Sequence, residues 1–181
     1  MRSVHERLRE AMNSRRPVHF DVSIPGVTAY SGFLLGLGPE WLLLHYLNDF
    51  RLDGYRLLRV SDIERLRSRH SQKTFERIYR EEGITDKVGP PPYPVSCENL
   101  PAALQDLKTA GKNVIVRAEH PDDDIFFIGS LSRIGKKKVS GRYFDATGKW
   151  ETEDTKIPYD CITCVDIECE YVRVFSKYTH H

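Results

Sequence analysis

Long apolar runs are missing from this 181-residue chain: nowhere do about 18 apolar residues follow one another, so the sequence offers no membrane-spanning helix. The opening residues, MRSVHERLREAMNSRR, lack the apolar centre of a secretory leader and carry Glu6 and Glu10, which a transit peptide avoids. They read as an ordinary helix of a cytoplasmic protein. A surplus of charge is missing too. With 27 Lys/Arg against 26 Asp/Glu the net charge is +1, which excludes the global basic field that drives unspecific nucleic-acid binding. Nucleophile elbow, phosphate-cradling glycine loop, HExxH pair and GxGxxG are all absent, which removes the usual catalytic frameworks.

Cysteine is scarce, at four residues: Cys97, Cys161, Cys164 and Cys169. The Cys161-x-x-Cys164 spacing suits zinc, but DCITCVDIEC reads as a strand that turns the two thiols to opposite faces, whereas a zinc knuckle needs a bend between its ligands. Only Cys97, His180 and His181 are obvious further ligands. Small buried or half-buried thiols in a reducing compartment fit better, and no metal or cofactor is implied. Asp122, Asp123 and Asp124 are consecutive acids without the spacing of a calcium loop and read as a surface turn. His45, His70 and His120 have no ligand spacing, and His19, alternating with Val18 and Phe20, is expected to face solvent.

What the chain does have is a repeat. Residues 29–47, AYSGFLLGLGPEWLLLHYL, align without a gap on residues 126–144, FFIGSLSRIGKKKVSGRYF, matching Gly32 to Gly129, Gly38 to Gly135 and Tyr46 to Tyr143. Upstream, Val4, Leu8 and Ala11 before Val18 and Phe20 are answered by Leu100, Leu104 and Leu107 before Val114 and Val116. Downstream, YRLLRVSDIERL is answered by KIPYDCITCVDI. Self-similarity of this length means a duplicated unit, and 40% hydrophobic residues are enough to give each copy a core.

Each copy begins with an amphipathic helix, about residues 3–14 and 99–110. Ser3 and Glu6 suit a capping box, and Pro101 falls in a first turn where its missing N–H is not needed. Alternating strands follow, with hairpins at Gly38-Pro39-Glu40 and Gly135-Lys136-Lys137, then a polar loop, a fourth strand, a tight turn and a fifth strand. KTFERIYREEG closes the first copy as a helix. In the second, YVRVFSKY suits helix or strand, because Val172 and Val174 are β-branched. Between the copies, ITDKVGPPPYPVSCEN carries three consecutive prolines and reads as an extended spacer.

A helix followed by five short bent strands, with a glycine in the second strand (Gly32, Gly129) and a tight turn between the fourth and fifth, resembles the Sm-like fold, a small SH3-type barrel. LDGYRLLRVSDIERL also resembles a stretch of uncharacterised bacterial proteins. The resemblance implies a mainly β protein with flanking helices: two tandem five-stranded barrels, each preceded by a helix, at 1–82 and 98–181, joined by a linker at 83–97. Residues 16–67 are then expected to superpose on 112–166 as separate barrels.

Sm proteins bind RNA with the loops joining the second to the third and the fourth to the fifth strand. Of that equipment the chain keeps Lys136, Lys137 and Lys138, able to meet phosphates, and Tyr159, able to stack on a base, while Glu40, Asp62 and Asp160 oppose the same backbone. Charge is split: residues 1–72 hold 11 Lys/Arg, all arginine, against 8 Asp/Glu, and residues 98–181 hold 12 against 14. In the third strand, WLLLHYL, parity places Leu42, Leu44 and Tyr46 inward and leaves Trp41, Leu43, His45 and Leu47 as an outward stripe to be covered by the N-terminal helix, the other barrel, another subunit or a partner, with cover from within the chain favoured. The expectation is a cytoplasmic binding or scaffolding module acting through protein partners or self-association at that stripe. An RNA-binding regulator is the alternative, and an enzyme or ligand-binding protein with a site between the barrels comes third.

Overall fold

The computed structural model describes residues 3–67, 71–118 and 124–180. Helix α1 (Val4–Ser14) is fixed at its start by Ser3, whose hydroxyl accepts from the Glu6 N–H while the Glu6 carboxylate accepts from the Ser3 N–H, so two otherwise orphaned donors are satisfied together. Strands β1 (Pro17–Val22), β2 (Ala29–Leu37), β3 (Trp41–Asn48), β4 (Arg51–Arg59) and β5 (Ile63–Leu66) follow, then α2 (Gln72–Glu81). The second copy repeats them as α3 (Leu100–Thr109), β6 (Asn113–Ala118), β7 (Ile125–Ile134), β8 (Lys138–Phe144), β9 (Trp150–Pro158) and β10 (Ile162–Ile167), and it ends in a short helix, α4 (Glu170–Phe175). Asn99 caps α3 by accepting from the Ala102 N–H.

The ten strands form one open antiparallel sheet in the order β5-β1-β2-β3-β4-β10-β6-β7-β8-β9. This corrects the expectation of two separate closed barrels. The duplication is nonetheless visible strand by strand. Each half runs fifth, first, second, third, fourth, and the irregularities fall at equivalent places, between Leu34 and Gly36 in β2 and between Leu131 and Arg133 in β7. Gly32 opposes Tyr46 as Gly129 opposes Tyr143, and the crossing is tight: a Cβ on Gly32 would lie 2.5 Å from the His45 carbonyl oxygen.

Closure fails for a physical reason. Leu57 and Leu58 of β4 are both buried, so that strand is apolar on two faces and needs a partner for its free edge; β10, buried at all six positions, supplies it. Leu58 pairs with Cys164, Leu57 with Val165, Arg56 with Asp166 and Tyr55 with Ile167. Because side chains alternate, the continuous sheet buries its two cores on opposite faces at this seam. Leu58 and Cys164 join Phe20, Leu42, Leu44 and Leu8 of α1, while Leu57 and Val165 join Leu104 and Leu107 of α3 with Val116, Phe127 and Ile157. The proline-rich segment does not stand off as a spacer. Tyr93, Val95 and Cys97 pack on the second core, and the Ser96 N–H donates to Asp106 of α3.

Candidate functional site

The outward stripe is covered within the chain. Trp41 and Leu43 lie in the second core under α3, and Leu47 lies with Phe33 beneath Tyr79 and Ile84. His45 is buried, stacked on Tyr55 with centroids 4.6 Å apart, and its Nδ1 accepts from the Gly89 N–H at 3.4 Å. Burial holds its pKa below the ordinary value. The predicted parity of the third strand holds, since Leu42 and Leu44 belong to the first core and Trp41 and Leu43 to the second.

Lys136, Lys137 and Lys138 are brought together as an exposed hairpin tip beside Tyr159. The Tyr159 N–H donates to the Lys137 carbonyl at 3.1 Å and its hydroxyl to the Gly135 carbonyl at 2.9 Å, so this ring is half-buried against the second core and anchors the hairpin. His19, expected in solvent, is half-buried with Nδ1 2.5 Å from the Ser31 hydroxyl. All four cysteines are free thiols, and among the described residues no three His, Cys, Asp or Glu side chains gather as a metal site. Cys164 is buried 3.6 Å from the Asp166 carboxylate, and burial pushes its thiol pKa far up, with the Asp166 charge adding to the effect. His70, His120, Asp122, Asp123 and His181 lie outside the described residues. Among the described residues no helix is long and apolar enough to cross a membrane.

A buried charge network at the seam escaped the sequence reading. Asp166 of β10, 2% exposed, accepts from the Arg56 Nε of β4 and, at 3.1 Å, from the Arg117 Nε of β6. The Arg56 guanidinium lies 4.0 Å above the Tyr46 ring and 4.5 Å from that of Tyr30. One carboxylate thus neutralises guanidinium groups from both halves, and Arg56 completes its surroundings with aromatic faces. Compared with known proteins, the chain matches no family model, no curated protein and no solved structure. At its ends the seam is tied by Arg59, which donates to the Ile162 carbonyl at 3.0 Å, and by Arg51, which pairs with Glu170 at 2.9 Å.

Two strand edges stay largely open among the described residues: β5 pairs with β1 and β9 with β8, while the Trp150 N–H at the start of β9 donates to the His180 carbonyl at 3.1 Å. β9 carries the exposed acids Glu151, Glu153 and Asp154, whereas β5 and the residue after it carry the exposed Arg65 and Arg67. Arg65 and Arg67 share Asp21 of β1, at 2.9 and 2.5 Å.

Proposed function

We propose that the chain is a protein-contact module of two Sm-like, SH3-type halves whose partner is a further copy of itself, joined head to tail. The seam carries this reading. Within the chain, the fourth strand of the first half pairs with the fifth strand of the second; the strands left open, β9 and β5, are the fourth of the second half and the fifth of the first. The register of the seam, transferred along the repeat, sets Lys156 opposite Leu66 and Thr155 opposite Arg67.

Backbone direction supports the match. The Tyr159 N–H donates toward β8 and the Arg67 N–H toward β1. By alternation the N–H groups of Lys156 and Leu66 face the open edges; the Leu66 carbonyl, which accepts from Arg7 at 2.9 Å, has a second lone pair for the incoming Lys156 N–H. Acids on β9 and arginines on β5 add complementary charge, and exposed edges of this kind template strand addition. The two edges differ, so the join is heterologous and leads to a ring or an open array.

Light scattering over a range of protein concentrations tests it. Masses in multiples of 20.9 kDa are expected. Lys156→Pro, which removes an edge N–H without touching the β8 ladder, is expected to leave a folded monomer. A chain that stays monomeric at every concentration, or a proline variant that assembles like the parent, would sink the proposal. A second reading, single-stranded nucleic acid at the tip of Lys136, Lys137 and Lys138, is supported by their grouping alone. It requires binding that weakens steeply with salt and is lost when the three become glutamine.

A further inference from the structure

Beneath the C-terminal end of α1 lies a cleft of about 290 Å³. Its walls come from α1, the outer face of β1–β3, the end of β5 and the first turns of α2. The floor is apolar and aromatic, with Val18, Leu47, Leu66, Phe75 and Tyr79. Phe75 and Tyr79 stand one helical turn apart with centroids at 6.1 Å, and Tyr79 is fixed edge-on against Phe33 at 6.3 Å, so the rings are held in place.

The described residues that line the cleft include Arg7, Arg16 and Arg67 and one acid, Glu10, which is itself engaged by another group. Arg7 is committed to the Leu66 carbonyl at 2.9 Å and Arg67 to Asp21 at 2.5 Å. Arg16 has no hydrogen bond or ion pair with another described residue. An apolar floor with a few polar groups at its walls is how small-molecule sites are built, and a guanidinium fork such as that of Arg16 matches a carboxylate with two parallel hydrogen bonds. The volume falls near the lower end of ligand sites, about 300 Å³, which limits the occupant to a single ring or a short chain.

We infer that this cleft is a site for a small aromatic carboxylate, its ring against Phe75 and Tyr79 and its anion on Arg16. The cleft shares Leu66 and Arg67 with the β5 edge, and the two proposals are told apart by their readouts: light scattering reports assembly, and benzoate shifts recorded on the Lys156→Pro variant report the cleft.

Benzoate, titrated into isotopically labelled full-length protein and followed by amide chemical shifts, is the test. Saturable shifts are expected at Val18, His19, Gln72, Phe75 and Tyr79, with amides of the second half unmoved. Benzamide, the same ring without charge, is expected to give none, and hexanoate separates a need for a ring from a need for any apolar anion. Arg16→Gln, at an exposed position that leaves the fold intact, is expected to weaken benzoate by about tenfold or more, as loss of one charge-assisted hydrogen bond does. Absent or scattered shifts, equal binding of benzamide, tighter binding of hexanoate than of benzoate, or an unaffected Arg16→Gln variant would each overturn the assignment.

Discussion

His45 shows how much one side chain's surroundings decide. Its Nδ1 accepts from the Gly89 N–H, so the folded protein holds the neutral ring, and burial lowers its pKa below the ordinary 6.5. The unfolded chain therefore binds a proton that the folded one refuses. Stability from this group is complete above about pH 6.5, falls as the pH drops below that value, and levels off beneath the folded pKa. His45→Gln is expected to flatten that part of a melting-temperature profile; an unchanged slope would show that other groups set it. Asp166 makes the sharper case. Asp166→Asn leaves Arg56 buried without a counter-charge and is expected to cost about 3–5 kcal/mol in denaturant melts, whereas Asp166→Leu combined with Arg56→Met should cost less than that. A double variant as unstable as the single one would mean that the aromatic faces of Tyr30 and Tyr46, more than the charge pair, need the guanidinium.

Among the elements, the connector is where local pattern and structure part company. Three prolines do keep it out of helix and sheet, but Tyr93, Val95 and Cys97 are apolar enough to be drawn onto the second core. Gly38 allows the approach: a Cβ there would lie 1.7 Å from the Cys97 carbonyl oxygen. Gly38→Ala is expected to lift this stretch and to destabilise the protein by about 1–3 kcal/mol. Cys97, whose thiol burial pushes up to about 11, should then react faster with a thiol reagent. An unchanged rate would place the strain in the hairpin instead. The cap at Ser3, the proline in the first turn of α3, both hairpins and the inward and outward parity of WLLLHYL were legible because each depends on neighbours within a few residues. What covers the outward side of that strand was not. A strand's pattern says that a face is buried and is silent on whether a helix of its own repeat, a connector or the other repeat lies on it.

Across the whole molecule the same limit explains why two barrels were expected and one sheet is found. The repeat specifies the strand order within each half, but an apolar fourth strand can be closed by either of two fifth strands. The pairing found is marked by Arg56, Asp166 and Arg117, which meet at the seam but are far apart in sequence and unremarkable in any local window. Because β4 and β10 share their hydrogen bonds and each core takes side chains from both halves, the chain is expected to unfold in one calorimetric transition. Residues 1–82 alone would expose Trp41, Leu43 and Leu57 and are expected to aggregate or remain partly unfolded. A soluble fragment with a cooperative melt of its own would show that the first half is complete without the second.

The seam also puts the molecule under a constraint of time. Arg56 and its partner Asp166 are separated by 110 positions, so a ribosome completes β4 well before it makes β10. At roughly 5–20 residues per second that interval is on the order of 5–20 s. Throughout it the nascent chain carries an apolar strand with an unpaired edge, which any passing strand can occupy. Cellular yield should therefore respond to slowed translation between residues 60 and 162 and to chaperones that shield nascent β-structure, even though the finished protein keeps that strand fully enclosed.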